Sequence, residues 1–203
     1  KNKKMNRPNK GFTLMELLIV IGVLGILAVG LLAAIDPFEQ LKKARDTNMR
    51  NASTELLQSL QRFYTTHGSF PWDMEMYEDI CGTGPTQPME GLGDITTAAM
   101  SIQNPDVSTC LVQSLSNDGE LKETFMGGVG GTDIYIGADP EDKSDLVVCF
   151  APTSKSFMDD PVTKYLINMI ALDGSRFSIV EQTGVPPYTA CVRQLGDCAQ
   201  CFK

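Results

Sequence analysis

Between Leu17 and Ile35 the chain carries no charged residue, and this run is preceded by Gly11-Phe-Thr-Leu-Met-Glu16 and by the basic residues Lys1, Lys3, Lys4, Arg7 and Lys10. From Phe12 to Ile35 is 24 residues. As a helix that is about 36 Å, enough to cross a hydrocarbon core of roughly 30 Å. A cleaved secretory signal fits poorly, because its apolar core usually runs roughly 7–15 residues and a small-residue cleavage site follows. The basic flank predicts that the amino end stays cytoplasmic and that everything after Asp36 lies outside. The one carboxylate at the edge of the span is Glu16. An unpaired charge in hydrocarbon is costly or neutralises, so Glu16, with no partner foreseen in its own helix, is expected to find one elsewhere.

The segment KGFTLMELLIVIGVLGILAVGLLAAI, Lys10 to Ile35, resembles the amino-terminal segment of type IV pilins and of type II secretion pseudopilins. The resemblance implies a prepilin peptidase cut after Gly11, with Phe12 as the methylated first residue of the mature protein. It also implies that Glu16 is the glutamate through which subunits dock. Many members of that family carry a proline near the middle of the long helix; here Ala33 and Ala34 occupy that region and Pro37 follows. The sequence opens at Lys1 rather than Met, so either the leader is incomplete or Met5 is the start.

Composition agrees with an exported module. The chain has 17 Lys+Arg against 25 Asp+Glu; without the five leader bases, 12 stand against 25 and the balance is near −13. An acidic body of this kind repels phosphate backbones, so nucleic-acid binding by the head is not expected. The length beyond the span suits one head of about 135 residues.

Between Phe38 and Thr66, Leu41, Ala44, Ala52, Leu56, Leu60 and Phe63, with Leu57 and Tyr64, recur at helical spacing. Lys42, Lys43, Arg45, Asp46, Arg50 and Glu55 fall on the other face. This is an amphipathic helix, stopped at Gly68 with Pro71 beyond. Joined to the span, it is expected to make one helix of about 55 residues, kinked at Pro37. Cys81-Gly-Thr-Gly-Pro85 and Gly127-Gly-Val-Gly-Gly131 read as loops. Asn104-Pro105 caps a short helix on which Val107, Leu111 and Leu115 share a face. Strands are predicted over 133–138, 146–150, 165–172 and 177–181, the last two flanking a hairpin turn at Asp173-Gly174-Ser175. A long helix followed by antiparallel strands is an α+β fold, and the resemblance makes it a pilin-like one.

Cys81, Cys110, Cys149, Cys191, Cys198 and Cys201 all fall in the external part. An even count there reads as up to three disulfides of undetermined pairing. The Cys198-x-x-Cys201 spacing also admits zinc, with a fourth ligand from another cysteine or His67. His67 itself reads as a solvent-facing residue at a helix end, and no constellation supports catalysis. Gly127 to Gly131 lacks the Lys-Ser/Thr of a phosphate cradle. Asp139, Glu141, Asp142 and Asp145 form an acidic loop that reads as a solvated turn, with calcium as the alternative though without EF-hand spacing; no other cofactor is expected.

The organisation is therefore a basic leader (1–11), a membrane and filament-core helix (12–35), its amphipathic continuation (36–66) and a disulfide-clipped head (67–203). The resemblance implies a structural subunit rather than an enzyme. Its partners would be membrane lipid before assembly, a prepilin peptidase, a membrane assembly platform, and identical or related pilin subunits in a periplasmic or extracellular filament. The competing readings are a single-pass anchored binding receptor, which would keep the Gly11–Phe12 junction intact, and a metal-binding external module.

Overall fold

The computed structural model describes residues 11–34, 36–82, 99–138, 146–169, 177–181 and 198–203. The chain divides into two compact units, Lys1–Gln40 and Leu41–Lys203. In the first, helix α1 runs Leu14–Ala34 and is apolar throughout. The second begins within helix α2, Pro37–His67.

The single kinked helix expected from sequence is instead two helical segments. The carboxylate of Asp36 accepts from the backbone N–H of Phe38 at 3.1 Å and of Glu39 at 3.3 Å, so Asp36 is the N-cap of α2. Pro37 then takes the first helical position, where its missing N–H costs nothing. Asp-Pro at this point is a helix start rather than a flaw inside a helix.

At its far end α2 stops as predicted. Gly68 adopts a left-handed φ of 77°, and its N–H reaches the Tyr64 carbonyl at 2.7 Å. A non-glycine residue there would be strained. Short 3-10 turns at Pro71–Asp73 and Glu75–Tyr77 lead into α3, Glu78–Cys81.

The expected cap at Asn104 is present, its side chain accepting from the Asp106 N–H at 3.0 Å. The helical stretch behind it is α4 (Pro105–Ser108), a π-helical turn (Thr109–Gln113) and α5 (Ser114–Asn117). Val107, Leu111 and Leu115 are all buried, as their spacing required. The glycine run read as a loop is partly helical: α6 covers Phe125–Val129, and left-handed Gly130 ends it. Phe125 and Val129, four apart, are buried and pin this turn to the core despite two intervening glycines.

The strands are β1 (Met100–Ser101), β2 (Ile134–Ala138), β3 (Leu146–Phe150), β4 (Tyr165–Met169), β5 (Phe177–Glu181) and β6 (Cys198–Phe202). A four-residue helix α7, Lys155–Met158, lies between β3 and β4. The sheet order is β1-β2-β3-β6-β4-β5, every pairing antiparallel. Ala99 and Phe177 then exchange two backbone hydrogen bonds, at 2.9 and 2.8 Å. The segment before β1 thus touches β5, and the sheet curls until its two edges meet. The expected β4–β5 pairing is observed, whereas the hairpin turn at 173–175 lies outside the described residues.

Two-residue alternation gives this sheet two apolar faces. Ile134, Ile136, Leu146, Val148 and Phe150 share one core with Leu56, Leu60 and Phe63 of α2. Tyr135, Val147, Cys149, Ile167, Phe177, Ile179 and Ala199 point the other way and fill the inside of the curl. The fold is α+β and pilin-like, as expected.

The buried face of α2 differs from the predicted one at its start. Leu41 is 68% exposed and Ala44 is exposed, whereas Asp46, Met49 and Ser53 are buried. Asp46, assigned by its charge to the solvent face, is 1% exposed. Its carboxylate accepts from the Thr153 N–H at 2.9 and 3.0 Å, the Thr153 hydroxyl at 3.0 Å and the Ser154 N–H at 2.7 Å. Those bonds replace its lost hydration and tie α2 to the connection leading into α7. Asp46→Ala strands these donors in the interior. It is expected to destabilise the fold by about 2–4 kcal/mol, with Asp46→Asn, which keeps one acceptor, losing less. Urea unfolding in detergent, followed by fluorescence of the single tryptophan, Trp72, measures both.

Candidate functional site

At the head of α1 three described residues stand outside the helix. Gly11, Phe12 and Thr13 precede the helix and are exposed, Phe12 at 87%. Glu16 sits in the first helical turn. Its Oε2 accepts from the Thr13 N–H at 2.9 Å and from the Thr13 hydroxyl at 3.0 Å, and the Glu16 N–H donates to the Thr13 hydroxyl oxygen at 3.2 Å. This reciprocal arrangement is a capping box, in which residue N3 and the N-cap satisfy each other's backbone donors. The amino-terminal end of the helix dipole also favours a negative charge there.

The expectation that Glu16 lacks a partner in its own helix is therefore overturned. The signal was in the sequence: Thr13-Leu-Met-Glu16 fits the Ser/Thr-x-x-Glu pattern that opens many helices. Both contacts fall on Oε2, and Oε1 has no hydrogen bond among the described residues.

From Leu14 to Leu32 the helix is long and apolar enough to cross a membrane, and none of that stretch is buried within the molecule. Leu14, Met15, Leu17, Leu18, Ile26 and Leu32 each expose more than half of their surface. Gly22, Gly25 and Gly30 have nothing within 4 Å of where a Cβ would stand. An apolar surface of this extent needs lipid or other protein around it.

The described cysteines of the head are disulfide-bonded. Cys81 joins Cys110 across a separation of 29 residues, and Cys149 joins Cys201 across 52. The first ties α3 to the π-helical turn; the second links directly opposed residues of β3 and β6. Cys198 is also disulfide-bonded, and its partner lies outside the described residues, as does the candidate Cys191. Disulfide sulfurs are not thiolates, so the zinc reading of Cys198-x-x-Cys201 loses its ligands. The acidic loop residues Asp139, Glu141, Asp142 and Asp145 lie outside the described residues.

His67 is not the solvent-facing residue expected. Its ring stacks on Phe63 at 4.3 Å, its Nδ1 lies 3.2 Å from the Phe63 carbonyl, and its Nε2 lies 3.4 Å from the Asp118 carboxylate. It closes the end of α2 against the turn after α5, a structural duty. Tyr77 packs on the same Phe63, and burial, then the Asp118 charge, push its phenol above the usual range.

An exposed apolar helix opened by a capping box, ahead of a disulfide-clipped α+β head, is the build of a pilin-class subunit. Comparison with known proteins agrees. The family described as the prokaryotic N-terminal methylation motif matches residues 6–32. The type IV major pilin protein PilE of Neisseria gonorrhoeae is 25% identical over 164 residues, 78% of this chain and 84% of that protein. No solved structure matches. The motif and this relative support the type IV pilin family, which the amino-terminal segment already resembled.

Alkylation of the unfolded, unreduced protein is expected to find no free thiol among Cys81, Cys110, Cys149, Cys198 and Cys201. Closing loops of 29 and 52 residues should each contribute about 3–4 kcal/mol, so reduction should lower the unfolding midpoint sharply. Alkylation mass spectrometry with urea titration, with and without dithiothreitol, reads both.

Proposed function

We propose that this chain is a prepilin, cut between Gly11 and Phe12, methylated on the new amino terminus and polymerised through its apolar helix into a type IV pilus or pseudopilus. The observation that carries the reading is the state of the Gly11–Phe12 junction: exposed, outside the helix, one residue ahead of the N-cap and at the basic flank of a membrane-length helix. A membrane-embedded peptidase can take hold of such a junction without unwinding α1. The same flank favours a cytoplasmic amino end and an external head.

Polymerisation then exchanges lipid for neighbouring helices around α1 with little change in apolar burial, which suits a subunit that is stored in the membrane and later withdrawn from it. Cleavage creates a cationic amine at Phe12, four residues ahead of Glu16. The capping box occupies Oε2 and leaves Oε1 to accept an amine, from the same subunit or from a neighbour at a suitable stagger. Pairing two poorly solvated charges favours that stagger over others.

In material assembled by the source cells, mass spectrometry should find Phe12 as a methylated amino terminus and no peptide spanning Gly11–Phe12; an intact junction would favour an anchored receptor. Glu16→Leu makes the span more apolar and should leave the protein in the membrane fraction, while sheared filaments should be depleted of it by at least about ten-fold. Normal incorporation of this variant would falsify the docking role.

A further inference from the structure

Within the Leu41–Lys203 unit, two surfaces carry opposite charge at different heights along α2. From Leu41 to Arg50 the exposed charges are Lys42, Lys43, Arg45 and Arg50. The one acid of that stretch, Asp46, is buried and committed to backbone amides. Arg45 donates to the Thr132 hydroxyl, and Arg50 lies over the Phe202 ring at 5.9 Å; neither contact neutralises the cation. From Trp72 to Gly82 the exposed charges are Asp73, Glu75, Glu78 and Asp79, with no base among them. Lys43, Arg45, Arg50, Glu75, Glu78 and Asp79 have no ion pair among the described residues.

Aromatic packing fixes the height of the acidic segment. Tyr77 packs on Phe63 at 5.8 Å and Phe70 on Tyr64 at 4.9 Å, placing it beside the last turns of α2. Phe63 is 13 residues beyond Arg50 and 20 beyond Lys43. The charged levels are thus separated by about 20–30 Å along the helix axis. By contrast, the cation near the end of α2 is matched: Arg62 pairs with Glu120 at 2.6 Å. The acidic segment also exposes Met76 at 66%, an apolar side chain among carboxylates.

We infer that the basic turns of α2 in one copy of this chain dock against the 73–79 segment of another copy displaced by about 20–30 Å along the helix axis. This rests on the filament reading above and adds to it a contact between heads. Two surfaces separated along one axis cannot neutralise each other within a chain. An axial stagger between copies brings them level, and the unequal ends permit only one polarity of stacking. Charged rims of this kind select register and partner, and salt weakens them.

The test uses the full-length protein in cells that assemble it. Lys43→Glu with Arg50→Glu should lower the yield of sheared filaments about ten-fold, and so should Glu75→Lys with Glu78→Lys. All four residues are exposed, and unchanged unfolding midpoints would show that the folds survive. A chain carrying all four substitutions restores complementarity and should recover filaments, as should co-expression of the two double variants. A chain combining Lys43→Glu and Arg50→Glu with Glu55→Lys and Glu123→Lys recovers net charge without complementarity and should not assemble. Wild-type yield from both double variants, or rescue by the Glu55 and Glu123 control, overturns the head contact. The filament reading would survive that outcome if Glu16→Leu still blocked incorporation. Absence of filaments from the wild-type chain would overturn both.

Discussion

The head depends on one packing event, the seating of the distal two-thirds of α2 on a curled sheet. Leu56, Leu60 and Phe63 are fully buried there with Ile134, Ile136, Val148 and Phe150. Each such side chain contributes roughly 1.5–3 kcal/mol through removal from water. Everything else in the head is placed by reference to that seam. Asp46 fastens its lower end, His67 and Tyr77 close its upper end around Phe63, and the Cys81–Cys110 bridge holds α3 to the π-helical turn.

That arrangement divides one sequence between two solvents. The turns of α2 beyond Asp46 satisfy their apolar face within the head, whereas α1 satisfies none of its own. An exposed apolar helix of this length needs lipid or other protein around it. Its amino end is capped internally: Thr13 and Glu16 satisfy each other's backbone N–H groups at the start of the helix. The other carboxylate oxygen, Oε1, has no hydrogen bond among the described residues.

Much of this was legible from local pattern. The membrane-length helix, the stop at Gly68, the cap at Asn104 and the runs that became β2, β3, β4 and β5 follow from apolar spacing and turn chemistry acting over a few residues. Glu16 shows a limit of another kind. Its partner was in the local sequence, but a carboxylate beside a membrane span invites a search for distant cations before a threonine three residues away.

The sequence by itself determined the element types, the boundary between the apolar helix and the head, and the likeness of the amino-terminal segment to pilins, because each depends on neighbours along the chain. Only the tertiary structure decided that Asp46 is interior, that β6 enters the sheet between β3 and β4, and that Ala99 meets Phe177 to close the curl. It also decided which described cysteines pair. Charge argues for solvent until backbone donors more than a hundred residues away replace the water. Cys198-Ala-Gln-Cys-Phe202 has little strand character of its own until β3 and β4 flank it. Such outcomes belong to contacts between distant segments, whose selection rests on the free energy of the whole packed head and not on any local run of residues.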